Sequence, residues 1–149
     1  MLAARRVDTL RSWVGCQVRT VLEQSDLEGS HYIGFISSFQ RLRSNPLDQA
    51  PEHLRQEALA YQAGLVERVV HLDEPLRSHR VWQAMSLIIH VGAARERARE
   101  RAEPVLPLEV QLADLLDTSV ALLTARPSTQ TRAALRSAAL VAVERDVYL

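Results

Sequence analysis

The sequence has no lysine: all eighteen of its basic residues are arginine, and eighteen acidic residues bring the formal net charge to zero. Without an excess of positive charge there is no long-range field to gather nucleic acid or an anionic membrane surface, so this chain alone is not expected to bind DNA. Arginine in every basic position points to codon bias in a GC-rich, bacterial genome. One cysteine, Cys16, excludes an intrachain disulfide and a thiolate metal cluster, and it suits a reducing cytoplasm. Long apolar runs are missing too. The most apolar stretch, residues 81–94, is interrupted by Gln83, Ser86 and His90 and is too short to span a bilayer. Residues 2–21 are broken by Arg5, Arg6, Asp8, Arg11 and Arg19, which argues against a signal peptide. These absences predict a soluble, cytoplasmic protein with no membrane partner.

What is present is an ordinary globular composition, 47% hydrophobic and 24% charged, in 149 residues that suit one domain and one core. Alanine, leucine, valine and arginine dominate, no alternating strand pattern appears, and the apolar residues recur at helical spacing. The expected fold is all-α, a single bundle of about six helices over residues 1–149. The first is read over 2–23, from Leu2, Val7, Leu10, Val14, Val18 and Val21. After the break at Ser25-Asp26-Leu27-Glu28-Gly29, with Ser30 as a capping residue, a second helix covers 31–43. Its stripe is Tyr32, Phe35, Ile36, Phe39 and Leu42. Pro51 opens a third, in which Leu54, Ala58, Tyr61, Leu65, Val69 and Leu72 form the clearest amphipathic face, and Asp73-Glu74-Pro75 marks its end.

Two further helices are apolar on nearly all sides. In one, Val81, Trp82, Ala84, Met85, Leu87, Ile88, Ile89, Val91 and Ala93 surround the axis, and Arg95 to Glu103 is expected to continue it into solvent. In the other, residues 108–123, little more than Gln111, Asp114, Asp117 and Thr118 is polar. A surface helix buries an arc of roughly 100°, so these two require cover on both sides, more than a small domain readily supplies. A last helix, residues 130–145, follows Pro127-Ser128-Thr129.

Few constellations suggest chemistry. Glu67, His71 and Glu74 have a spacing used by metal sites on bundles, but Pro75 stops the helix and no second Glu/His pair accompanies them; a solvated helix end with His71 near its C-terminus is the favoured reading. His90, in the most apolar stretch, requires a hydrogen-bond partner, whether in a core, in a pocket or across a dimer. Arg95, Arg97, Arg99 and Arg101 are interleaved with Glu96, Glu100 and Glu103 and read as a solvated helix face, not a nucleic-acid patch. No phosphate loop, nucleophile elbow or Cys/His dyad is visible, so neither enzyme activity nor a cofactor is expected.

Three segments carry a resemblance. Glu28-Gly29-Ser30-His31-Tyr32-Ile33-Gly34-Phe35-Ile36, then Ile88-Ile89-His90-Val91 with Arg95-Glu96-Arg97-Ala98-Arg99, then Pro107 to Asp117 with Leu122-Leu123-Thr124-Ala125-Arg126-Pro127, occur in the order found in the C-terminal half of TetR/AcrR-type transcriptional regulators. The chain resembles that ligand-binding and dimerisation domain, with residues 1–24 similar to its connector helix and without the helix-turn-helix domain that members carry. The resemblance implies a small apolar ligand held inside the bundle, homodimerisation through the last two long helices, and a role in transcription regulation. Ligand contacts then fall to Tyr32, Phe35, Ile36, Phe39, Tyr61, Trp82, Met85 and His90, with Tyr32, Phe35, Phe39 and Trp82 around one internal cavity. The dimer seam falls to Met85, Ile88, Ile89, Leu108, Leu112, Ala113, Leu115, Leu116, Val120 and Leu123. The alternative is a helical interaction protein without ligand, pairing with a full-length regulator through the same face.

Overall fold

The computed structural model describes residues 9–41 and 51–146 and contains six α-helices and, among the described residues, no strand. They are α1 (Leu10–Asp26), α2 (Tyr32–Arg41), α3 (Glu52–Arg68), α4 (Leu76–Glu100), α5 (Leu108–Thr124) and α6 (Thr129–Asp146). The all-helical expectation holds. Residues 2–8, read as the start of the first helix, lie outside the described residues, and α1 opens where the Thr9 side chain accepts from the Ser12 N–H at 3.1 Å.

The core forms where α1 and α4 cross. Each packs against the other and against α2, α3 and α5. Val14, Val18, Val21 and Leu22 supply the buried stripe of α1, at the spacing that keeps one helix face inward. From α4 come Val81, Ala84, Ile88, Ile89 and Ala93, and from α5 Leu112, Leu115 and Leu123. Gly92 makes the crossing close: a Cβ there would lie 2.5 Å from Cγ1 of Val21 and 3.1 Å from Cγ2 of Ile33. Its missing side chain lets α1 and α2 both settle onto α4.

The third stripe behaves differently from its reading. α3 ends at Arg68, yet Val69 and Leu72, in the turn that follows, are fully buried beside Leu65. Apolar periodicity reports burial, and a turn folded back onto the core satisfies it as well as a helix does.

The run after Ala94 also departs from expectation. Arg95 and Glu96 are 5% and 3% exposed, so α4 does not pass into solvent there. The helix leaves the bundle only at its last turn and ends in a Schellman arrangement, with Glu103 N–H donating to Ala98 C=O at 2.8 Å and Ala102 N–H to Arg99 C=O at 3.0 Å. Ala102 holds the left-handed position, φ 54°. Ser128 starts α6, its Oγ accepting from Thr131 N–H at 3.1 Å. Among the described residues α6 packs against none of the other helices.

Candidate interaction face

Two adjacent side chains fix α4 relative to its neighbours. Glu96 turns its carboxylate to the start of α2: Oε1 accepts from Ile33 N–H at 3.0 Å and from Ser30 Oγ at 3.1 Å, and Oε2 accepts from Gly34 N–H at 2.7 Å. The first N–H groups of a helix have no partner within it and carry partial positive charge, so a buried carboxylate is well matched to them. Ser30, read from sequence as the cap of this helix, sits 3.5 Å from Tyr32 N and mainly relays to Glu96. Arg95 points the other way. Its Nε and Nη2 reach Oδ1 of Asp26 at 2.9 and 2.7 Å, and its Nη1 donates to Leu106 C=O at 2.7 Å and to Gln111 Oε1 at 2.6 Å. One planar guanidinium thereby joins the end of α1, the α4–α5 connection and α5.

With α2 and α5 held on its flanks, α4 presents an outward strip between them. Trp82, Gln83, Ser86, Leu87 and His90 of α4, with Ser37 of α2 and Leu122 of α5, line a shallow, open groove of about 490 Å³, Gln83, Ser86, Leu87 and His90 falling at i, i+3, i+4 and i+7. Trp82 is 59% exposed and stacks on His79, ring centroids 5.9 Å apart. The lining is apolar apart from a few side-chain tips, the general character of surfaces that bind partners or ligands.

The sequence-expected pocket residues do not converge. Trp82 and His90 line this open groove. Tyr32 and Phe35 are 56% and 59% exposed, on the side of α2 opposite its buried Ile33 and Ser37, so they and Trp82 do not enclose an internal cavity. One stripe on a ten-residue helix reads equally as either face, and it is the Glu96 cap that turns Ile33 inward. Ile36 and Met85 are half-buried core neighbours. The Phe39 side chain lies outside the described residues. Tyr61 belongs to another junction: its ring stacks on Trp13 at 5.1 Å, its hydroxyl donates to the Trp13 C=O at 2.5 Å, and Arg68 covers the Trp13 ring at 4.1 Å. Burial, and then the charge of Cys16, push the Tyr61 phenol well above its ordinary pKa of 10.0.

The expected seam divides similarly. Ile88, Ile89, Leu112, Leu115 and Leu123 are buried within the chain and cannot also face a partner. Met85, Leu108 and Val120 are half-buried against the core, and Leu116 covers α1, where a Cβ on Gly15 would lie 3.8 Å from its Cδ2. Of that set only Ala113 is exposed, and it shares the outer face of α5 with Val110, Asp114, Asp117 and Ala121. The residues that sequence reasoning missed are Ser37, Gln83, Ser86 and Leu87, while Leu122 was expected to add area at a dimer seam. The Gln83-to-His90 spacing was a legible signal, hidden by the stronger apolar residues around it.

Among the described residues no group of three His, Cys, Asp or Glu side chains is arranged to hold a metal ion. Glu74 instead closes the start of α4, accepting from Ser78 N–H at 3.2 Å and Ser78 Oγ at 2.9 Å. No helix of the described residues is long and apolar enough to cross a membrane. Comparison with protein-family models, with curated proteins and with solved structures found no match.

Proposed function

We propose that the chain is a self-associating helical module, organised like the regulatory half of a TetR/AcrR-type regulator, in which the outer face of α4 and α5 meets a second copy. The observation that supports this most is the apolar surface left outward once the core is filled: Trp82, Leu87 and Leu122 along the groove. A two-fold arrangement would set each strip against its own copy, making one patch serve both partners. In this reading the groove also receives a small apolar ligand, with His90 and Ser86 as polar tips.

A second reading, an interaction module without ligand, is favoured by the groove being open to solvent and by Tyr32 and Phe35 standing outside it. Native mass spectrometry of the purified chain separates the two. A dimer that retains an organic molecule supports the sensor reading. An empty dimer supports the ligand-free module, and a bare monomer contradicts both.

A further inference from the structure

Within the described residues α6 packs against no other helix of its own chain. Arg132, Leu135 and Arg136 stand at i, i+3 and i+4 in its first turns. Arg132 and Arg136 therefore share one side of the start of the helix with Leu135. From Thr129 to Val143 there is no acidic residue, and Arg132 and Arg136 are exposed.

The outer face of α5 has the opposite character at the same spacing. Val110, Ala113, Asp114, Asp117 and Ala121 stand at i, i+3, i+4, i+7 and i+11, and all are exposed. The helix bears Glu109, Asp114 and Asp117 and no basic residue. Small side chains at Ala113 and Ala121 leave room for another helix to approach, and the acids stand where Arg132 and Arg136 of such a helix can meet them. Arg11 pairs with Asp117 at 2.6 Å, an exposed bridge, and among the described residues Asp114 has no ion pair.

We infer that α6 packs in trans, its Arg132/Leu135/Arg136 stripe lying along the Val110-to-Ala121 face of α5 in a second copy, so that the two chains exchange their last helices. This rests on the self-association proposed above and names the surfaces that complete it. Both chains contribute both halves under two-fold symmetry, which places two such contacts in each dimer.

Charge reversal tests it on the full-length chain. Arg132→Glu with Arg136→Glu sets acid against acid in both contacts, and Asp114→Arg with Asp117→Arg sets base against base. Each variant alone is expected to weaken the dimer about tenfold at low salt, the scale of a few exposed ion pairs. An equimolar mixture of the two is expected to recover wild-type affinity as a heterodimer, because both of its contacts again join opposite charges. Circular dichroism before mixing shows that each variant is folded. A mixture that behaves as the sum of its two components overturns the trans arrangement, and so does a dimer indifferent to both reversals, although self-association then stands. A wild-type chain that stays monomeric overturns both.

Discussion

Oε2 of Glu96 accepts the Gly34 N–H at 2.7 Å, so a carboxylate near the end of α4 caps a helix through a residue sixty-two positions earlier. Together with the bond from Ile33 N–H, this makes one buried side chain the cap of α2. Removing it in Glu96→Ala leaves one buried and one partly buried N–H group without an acceptor and should cost about 2–3 kcal/mol. Glu96→Gln keeps one acceptor oxygen but loses the charge facing the helix start, and should cost about 1 kcal/mol. Urea unfolding measures both, and equal losses would show that the charge, not the acceptor count, carries the cap.

Gly92 should tolerate no side chain. Gly92→Ala drives a methyl against Val21 and Ile33, and overpacking of this kind costs about 1–3 kcal/mol. Shortening Val21 to alanine in the same chain should return part of that loss, because Val21 Cγ1 is the nearer obstacle. A double-mutant cycle in thermal or urea unfolding reads the coupling, and strict additivity would contradict the packing described here.

Ala102 should gain from glycine. Its φ of 54° lies in the left-handed region, where a Cβ is unfavourable, so Ala102→Gly should stabilise the chain by about 1 kcal/mol. A lower unfolding midpoint for this variant would mean that the end of α4 is not built this way in solution.

Tyr61 should resist ionisation while the chain is folded. Burial, with Cys16 adding a smaller effect, raises its folded pKa above the unfolded value of 10.0, so the neutral phenol is favoured in the folded state. The stability this gives is fully present below pH 10.0 and is lost as pH rises above it towards the folded pKa. Ultraviolet titration of wild type beside Tyr61→Phe checks it: the phenol that the variant lacks should be one that titrates only with alkaline unfolding.

Much of the fold was legible because helix spacing, Pro51, Pro107 and the Ser128 cap act locally. The valines of α1 took the inward places their spacing assigns, whereas Leu112, Leu115 and Leu123 of α5, expected at a dimer seam, fill the chain's own core. What spacing could not decide was which side of a nearly all-apolar helix faces the core. For α4 that choice depends on Arg95 and Glu96, whose interleaved charges look like any solvated run until Asp26, Gln111 and the start of α2 are brought beside them. Sequence reading reached the candidate groove at Trp82 and His90 and passed over the Gln83-to-His90 register between them, because a groove made by three helices leaves little local pattern and Ser37 carries no signature of its own.

Sedimentation velocity of the wild-type chain beside Leu87→Glu tests self-association through the α4 groove most directly. Leu87 is half-buried in the groove lining, so a carboxylate there can stay solvated in a lone chain but would be buried without a partner at a seam. Leu116→Glu, against Gly15, serves as the contrast and should unfold the chain rather than split it. The expected result is a wild-type dimer and a folded, monomeric Leu87→Glu variant. A wild-type chain that sediments as a monomer across the accessible concentration range, or a Leu87→Glu variant that dimerises as tightly as wild type, would contradict it.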